Sequence, residues 1–185
     1  MNWIFDLDHR LFLWMNRFND REWLNYLLGW PTVLGRLEVL LGVVFCVMWI
    51  SRQKGWMKDY LAFALVVTIV YLFAGGLKLA FMRPRPYDFF PPEIVIRTLF
   101  ARPDTYSFPS GHSAAAFAAA VLLHFFYGRA ARFVYPAAFI VAISRIFIGV
   151  HYPSDVAAGA FIGILGGWLG VWILKHSDPG RLSKR

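Results

Sequence analysis

Five long apolar runs fill most of this chain, at 31–50, 60–81, 112–127, 132–150 and 153–175. Their lengths lie near the ~20 residues that carry a helix across the hydrocarbon core of a bilayer. Inside lipid a helix satisfies its own backbone N–H and C=O groups, so runs of this kind predict transmembrane helices. The composition agrees: 58% hydrophobic and 18% aromatic residues make the chain too apolar for an ordinary soluble domain. The reading is an all-α integral membrane protein, a single domain over 1–185 built as a bundle of five to six transmembrane helices. The run at 112–127 is short and alanine-rich (Ala114, Ala115, Ala116, Ala118, Ala119, Ala120), and the last carries Gly159, Gly163, Gly166, Gly167 and Gly170. Small residues let helices approach closely, so these two segments are expected at the centre of the bundle.

The stretches outside the runs differ in character. Residues 1–30 mix Trp3, Phe5, Leu11, Phe12 and Trp14 with charged residues at roughly helical spacing. That pattern predicts amphipathic helices lying in the membrane interface, and it leaves open a sixth span. Residues 83–108 hold five prolines and several phenylalanines and read as a structured loop or cap. No cleavable signal peptide is expected, because Asp6 and Asp8 come early and no basic leader precedes them. The single Cys46 excludes an intrachain disulfide and a cysteine metal cluster.

Charge orients the bundle. With five spans, one face carries nine basic residues against Asp59 and Asp178, while the other carries ten basic and nine acidic residues. Lysine and arginine concentrate in cytoplasmic loops, so the first face is expected in the cytoplasm. The net charge of +8 thus reflects loop topology; no nucleic-acid motif accompanies it, and the expected surroundings are a lipid bilayer.

Three segments carry chemistry: Lys78-x6-Arg85-Pro86, Pro109-Ser110-Gly111-His112, and Ser144-Arg145-x5-His151-x3-Asp155. Each sits at the end of an apolar run, on the face opposite the cytoplasmic one. Lys78, Arg85 and Arg145 can neutralise phosphate oxygens, arginine with paired donors. Arg145 lies within an apolar run, where a charge is costly and marks a ligand or pathway. Ser110 is a candidate N-cap, and Gly111 leaves backbone N–H groups of a helix start open to an anion. Asp155, four residues after His151, can take one imidazole nitrogen and leave the other unprotonated, as a nucleophile or base requires. Alone, each segment reads more simply as a snorkelling lysine, a helix cap or a capping aspartate. A zinc site at His112, His151 and Asp155 is the sharper competitor. The three cations already supply the charge that a metal would, so the site is read as free of metal and cofactor.

Taken in order and spacing, the three segments resemble the tripartite signature of the type-2 phosphatidic acid phosphatase superfamily, with every signature position matched between residues 78 and 155. The resemblance implies a metal-independent phosphatase. His151 is then the nucleophile that becomes phosphohistidine and Asp155 its orienting partner. His112 is the acid for the leaving oxygen and afterwards the base for water. Lys78, Arg85, Ser110, Gly111 and Arg145 form the phosphate pocket, with Ser144 at its edge. The short, membrane-embedded chain resembles the branch acting on envelope lipids, which implies undecaprenyl diphosphate, phosphatidylglycerol phosphate or lipid A 1-phosphate as substrate. The implied site is multi-pass in a bacterial inner membrane and faces the periplasm. Arg36, Arg83, Arg97 and Arg102 are extra cations on that face and would suit a second phosphate. Transfer of the phosphoryl group to another lipid, or a non-catalytic lipid transporter, are the competing functions.

Overall fold

The computed structural model describes residues 3–17, 22–51, 53–90 and 106–177. Its helices are α1 (Trp3–Asn16), α2 (Glu22–Gly29), α3 (Pro31–Leu34), α4 (Leu37–Ser51), α5 (Trp56–Phe81), α6 (Pro86–Phe89), α7 (Gly111–Tyr127), α8 (Val134–Phe147) and α9 (Pro153–Ser177), with a 3-10 turn at Gly128–Ala131 before α8. The described residues contain no strand. Helices beginning at Trp56, Gly111 and Pro153 are long and apolar enough to cross a membrane, and α4 and α8 are shorter apolar helices. The protein is thus an all-α membrane bundle, as its apolar runs predict.

Helix α7 is the axis. Ala114, Ala115, Ala116, Ala118, Ala119 and Ala120 are all buried, and α5, α8 and α9 pack around them. The closest seam is with α9. A Cβ placed on Gly159 would sit 2.3 Å from the Ser110 carbonyl oxygen, and one on Gly163 would sit 2.3 Å from that of Ala114. Gly166 and Gly170 do the same for α5, against Val70 and Val66. Lipid gives no hydrophobic drive for helices to associate, so such close packing supplies the attraction. The outer faces of α5 (Leu61, Leu65, Ile69, Leu72) and α9 (Phe161, Leu165, Trp168, Trp172) are exposed and apolar, as a lipid-facing wall must be.

A contrast follows. Gly163→Ala is expected to destabilise the bundle by about 1–3 kcal/mol, the range for overpacking a tight contact. Gly76→Ala, where an added Cβ meets nothing within 4 Å, should be neutral or slightly stabilising. Thermal unfolding in detergent reads both, and equal midpoints would contradict the seam.

One expected span is interrupted. The run at 31–50 does not form one helix: α3 ends at Leu34 and α4 begins at Leu37. Gly35, between them, is buried against α8 and α7, and a Cβ there would lie 2.6 Å from Val141 Cγ1 and 2.9 Å from His112 Cδ2. The break brings this corner against His112. Arg36 is accordingly outside a span and pairs with Glu38 at 2.5 Å, both well exposed; such a surface pair contributes little to stability. The fourth run also yields a helix shorter than expected, Val134–Phe147 rather than 132–150. Gly149 ends it at φ +74, a left-handed conformation that glycine adopts without a Cβ penalty. The amides of Val150 and His151 both donate to the Arg145 carbonyl at 3.3 Å, which sets His151 directly beneath the last turn of α8.

Candidate active site

At one end of the bundle the C-termini of α5 and α8 meet the N-termini of α7 and α9. Three contacts fasten them. The Ser110 amide donates to the Asp155 carbonyl at 2.9 Å. Arg85 Nη1 donates to the Val150 carbonyl at 2.8 Å. Lys78 Nζ donates to the carbonyls of Tyr106 and Ser107 at 2.7 and 3.1 Å. Between these ends lies a pocket of about 910 Å³ whose wall includes Lys78, Arg85, Gly111, His112, Arg145 and His151. All three sequence segments therefore converge on one cavity, although 73 residues separate Lys78 from His151 in the chain.

The cations are fixed from behind. Arg85 and Arg145 are almost wholly buried. Arg145 Nη1 donates to the Thr32 hydroxyl of α3, a residue to which sequence reasoning gave no role. Arg145 Nε is buried and meets no acceptor among the described residues. A buried charged donor left without an acceptor costs about 1–3 kcal/mol or more.

His151 is buried and stands at the centre. Its Nε2 lies 3.5 Å from Arg85 Nη1. A guanidinium only donates, so Nε2 accepts in this contact in the tautomer that carries its proton on Nδ1. Nδ1 faces Asp155 Oδ2 at 3.4 Å, which is close but not hydrogen-bonded in this state. Burial, reinforced by the Arg85, Lys78 and Arg145 charges, pushes the His151 imidazole well below the ordinary value of 6.5. His151 is thus neutral near pH 7. His112, in the first turn of α7, lines the same pocket.

Two residues of the sequence reading sit off the pocket wall. Ser110 is fully buried and is not part of the pocket wall. Its hydroxyl accepts from the Ser113 amide at 3.3 Å and lies 2.9 Å from the Ser113 hydroxyl, so it caps α7 and presents Gly111 instead. Gly111 admits the Tyr71 ring, which would lie 3.3 Å from an added Cβ. Arg83, expected as a spare cation for a second phosphate, is not on the wall. Its Nη1 donates to Asp155 Oδ1 at 2.7 Å and its Nη2 to Asp8 Oδ2 at 2.6 Å. Arg97 and Arg102 lie outside the described residues, as does most of the expected cap at 83–108. What is described of that cap is α6 and the clamp at its two ends, where Ser107 N–H and Oγ–H donate to the Arg83 carbonyl at 2.9 and 3.2 Å. No group of three His, Cys, Asp or Glu side chains placed to hold a metal occurs among the described residues.

Comparison with known proteins is consistent with this geometry. The model of the PAP2 superfamily matches residues 59–178. A lipid A 1-phosphatase of Porphyromonas gingivalis is 36% identical over 135 residues, covering 70% of this chain and 27% of that protein. A lipid A 4'-phosphatase of Bacteroides thetaiotaomicron is 27% identical, covering 96% of this chain and 80% of the relative. The chain therefore spans about a quarter of the first relative and four fifths of the second. The crystal structure of a transmembrane PAP2-type phosphatidylglycerolphosphate phosphatase from Bacillus subtilis superposes with a TM-score of 0.76, with 28% identity over 95% of this chain and 88% of that one. Matched in sequence over most of its length and in fold over nearly all of it, the chain belongs to the PAP2 superfamily.

Proposed function

We propose that this protein is a membrane lipid phosphatase that works through a phosphohistidine on His151. The observation that carries the reading is the state of His151: buried, neutral, with Nε2 beside Arg85 on the wall of a pocket that also holds Lys78, Arg145 and His112. A neutral imidazole with one unprotonated nitrogen can act as a nucleophile, and a ring of cations offsets the charge of the phosphate it attacks.

The reaction runs in two balanced steps. The phosphate sits among Lys78, Arg85, Arg145 and the Gly111 amide. His151 Nε2 attacks phosphorus, the P–N bond forms as the P–O bond to the lipid breaks, and His112 gives its proton to the leaving oxygen. Asp155 stabilises the positive charge that develops on the ring. His112, now neutral, takes a proton from water; the hydroxide attacks phosphorus, the P–N bond breaks, and inorganic phosphate leaves. The chain's own cations supply the charge stabilisation, so the reaction needs no metal.

The relatives' names and the lipid-facing walls support a lipid phosphate as substrate: lipid A 1-phosphate, phosphatidylglycerol phosphate or undecaprenyl diphosphate. The basic loops lie at the opposite end of the bundle, which supports a pocket opening to the periplasm from a bacterial inner membrane, with α1 and α2 along that interface. The test is phosphate release by purified protein in detergent, with the three lipids side by side and with EDTA or vanadate added. Release from one of them, resistant to EDTA and blocked by vanadate, is the expected result. Loss with EDTA and restoration by zinc would contradict the mechanism.

The pH profile offers a separate check. A lowered His151 pKa keeps the nucleophile neutral through pH 6.5, the ordinary value. The acid limb of kcat/KM, which reports the free enzyme, is expected below that pH after correction for substrate ionisation. An acid limb centred above pH 7 would contradict the assignment.

A further inference from the structure

We infer that Arg83 and Asp8 form a positioning relay behind the nucleophile, and that the N-terminal helix is thereby part of the active site. The inference rests on the reading of His151 as nucleophile.

The relay is continuous and buried. Asp8 comes from α1, is 5% exposed, and lies far outside the residues matched by the family model. Its Oδ1 accepts the Ser154 amide at 2.9 Å, and its Oδ2 accepts the Ser154 hydroxyl and Arg83 Nη2, both at 2.6 Å. Asp8 thus caps α9 at the turn that carries Asp155. Arg83 bridges two carboxylates, with Nη1 donating at 2.7 Å to both Asp155 Oδ1 and Ser154 Oγ. Its guanidinium also lies over the Tyr152 ring, 3.9 Å from the centroid. Arginine suits this place because its planar fork fixes two acceptors and a ring face at once.

The consequence falls on Asp155. With Oδ1 held by Arg83 and Oδ2 accepting the Tyr152 amide at 2.9 Å, the carboxylate cannot rotate. Only Oδ2 faces His151 Nδ1, at 3.4 Å. That alignment matters most when the ring becomes positively charged in the transition state. Arg83 does not line the pocket, so it acts through Asp155 and not on the phosphate. Losing it should therefore lower kcat and leave KM nearly unchanged. A small misplacement of a catalytic group costs up to about 100-fold in rate, and a loss of about 10- to 100-fold is expected for Arg83→Gln.

The experiment measures kcat and KM per mole of folded protein for Arg83→Gln, Arg83→Lys, Asp8→Asn and Asp8→Asn/Arg83→Gln, with His151→Ala alongside. Expected are a kcat loss of about 10-fold or more in Arg83→Gln with KM within about 2-fold, partial recovery in Arg83→Lys, and a double variant little worse than Arg83→Gln, since Asp8 acts through Arg83. A kcat within 2-fold of the parent in Arg83→Gln overturns the relay. Should that variant fail to fold, Asp8→Asn decides: several-fold loss of kcat at constant KM supports the relay, and unchanged kcat overturns it. If His151→Ala keeps its activity, the nucleophile reading itself has failed; if His151→Ala is inactive while Arg83→Gln is unimpaired, only the relay has.

Discussion

Replacing His151 with alanine is expected to reduce phosphate release by about 10⁴-fold or more, the scale seen when a covalent nucleophile is deleted. The pocket would remain: Lys78 stays anchored to the 106–107 carbonyls, Arg85 to Val150 and Arg145 to Thr32. The variant should therefore still bind a lipid phosphate, and removing a neutral ring should not weaken that binding by more than a few-fold. Rate is lost and binding kept, which separates a catalytic histidine from a binding one. Binding by isothermal titration and phosphate release under saturating substrate measure the two. A variant that turns over at even a tenth of the parental rate would rule out His151 as nucleophile.

Asp155→Asn is expected to cost two to four orders of magnitude in kcat, by analogy with the loss of about 10⁴ when the aspartate behind a catalytic histidine becomes an amide. Asparagine keeps the shape and one acceptor. It loses the charge that meets the developing imidazolium, and it can turn an NH2 group toward His151 Nδ1 or toward Arg83. Either arrangement sets two donors face to face. Because Asp155 is fully buried, water cannot relieve that clash, and some loss of stability should accompany the loss of rate. The measurement is kcat with the folded fraction determined in parallel. Loss of fold with full specific activity in the surviving fraction would make Asp155 structural only.

The place of this pocket was legible because its polar side chains are unusual in a membrane segment. Lys78, Arg145 and Asp155 each lie in or at the end of an apolar run, where a charge stands out, and the pocket does gather Lys78, Arg85, Gly111, His112, Arg145 and His151. The alanine and glycine runs of α7 and α9 likewise announced their seam. What the sequence hid were contacts between segments that carry no mark of their own. Gly35 and Thr32 look like ordinary members of an apolar run, yet one breaks the helix against His112 and the other holds Arg145. Arg83 looks like one more surface arginine, and its role appears only when α1 folds against the start of α9. Asp8 in an amphipathic helix reads as a solvated charge, because nothing local reveals that α1 buries it.

The most direct test of the account is to trap the covalent intermediate. Purified protein is mixed with a ³²P-labelled lipid phosphate, quenched in alkali within milliseconds to seconds, digested and mapped. The account predicts an acid-labile, alkali-stable label on the peptide containing His151, absent in His151→Ala. Phosphate release by active protein with no label on His151, or with the label on another residue, would contradict it.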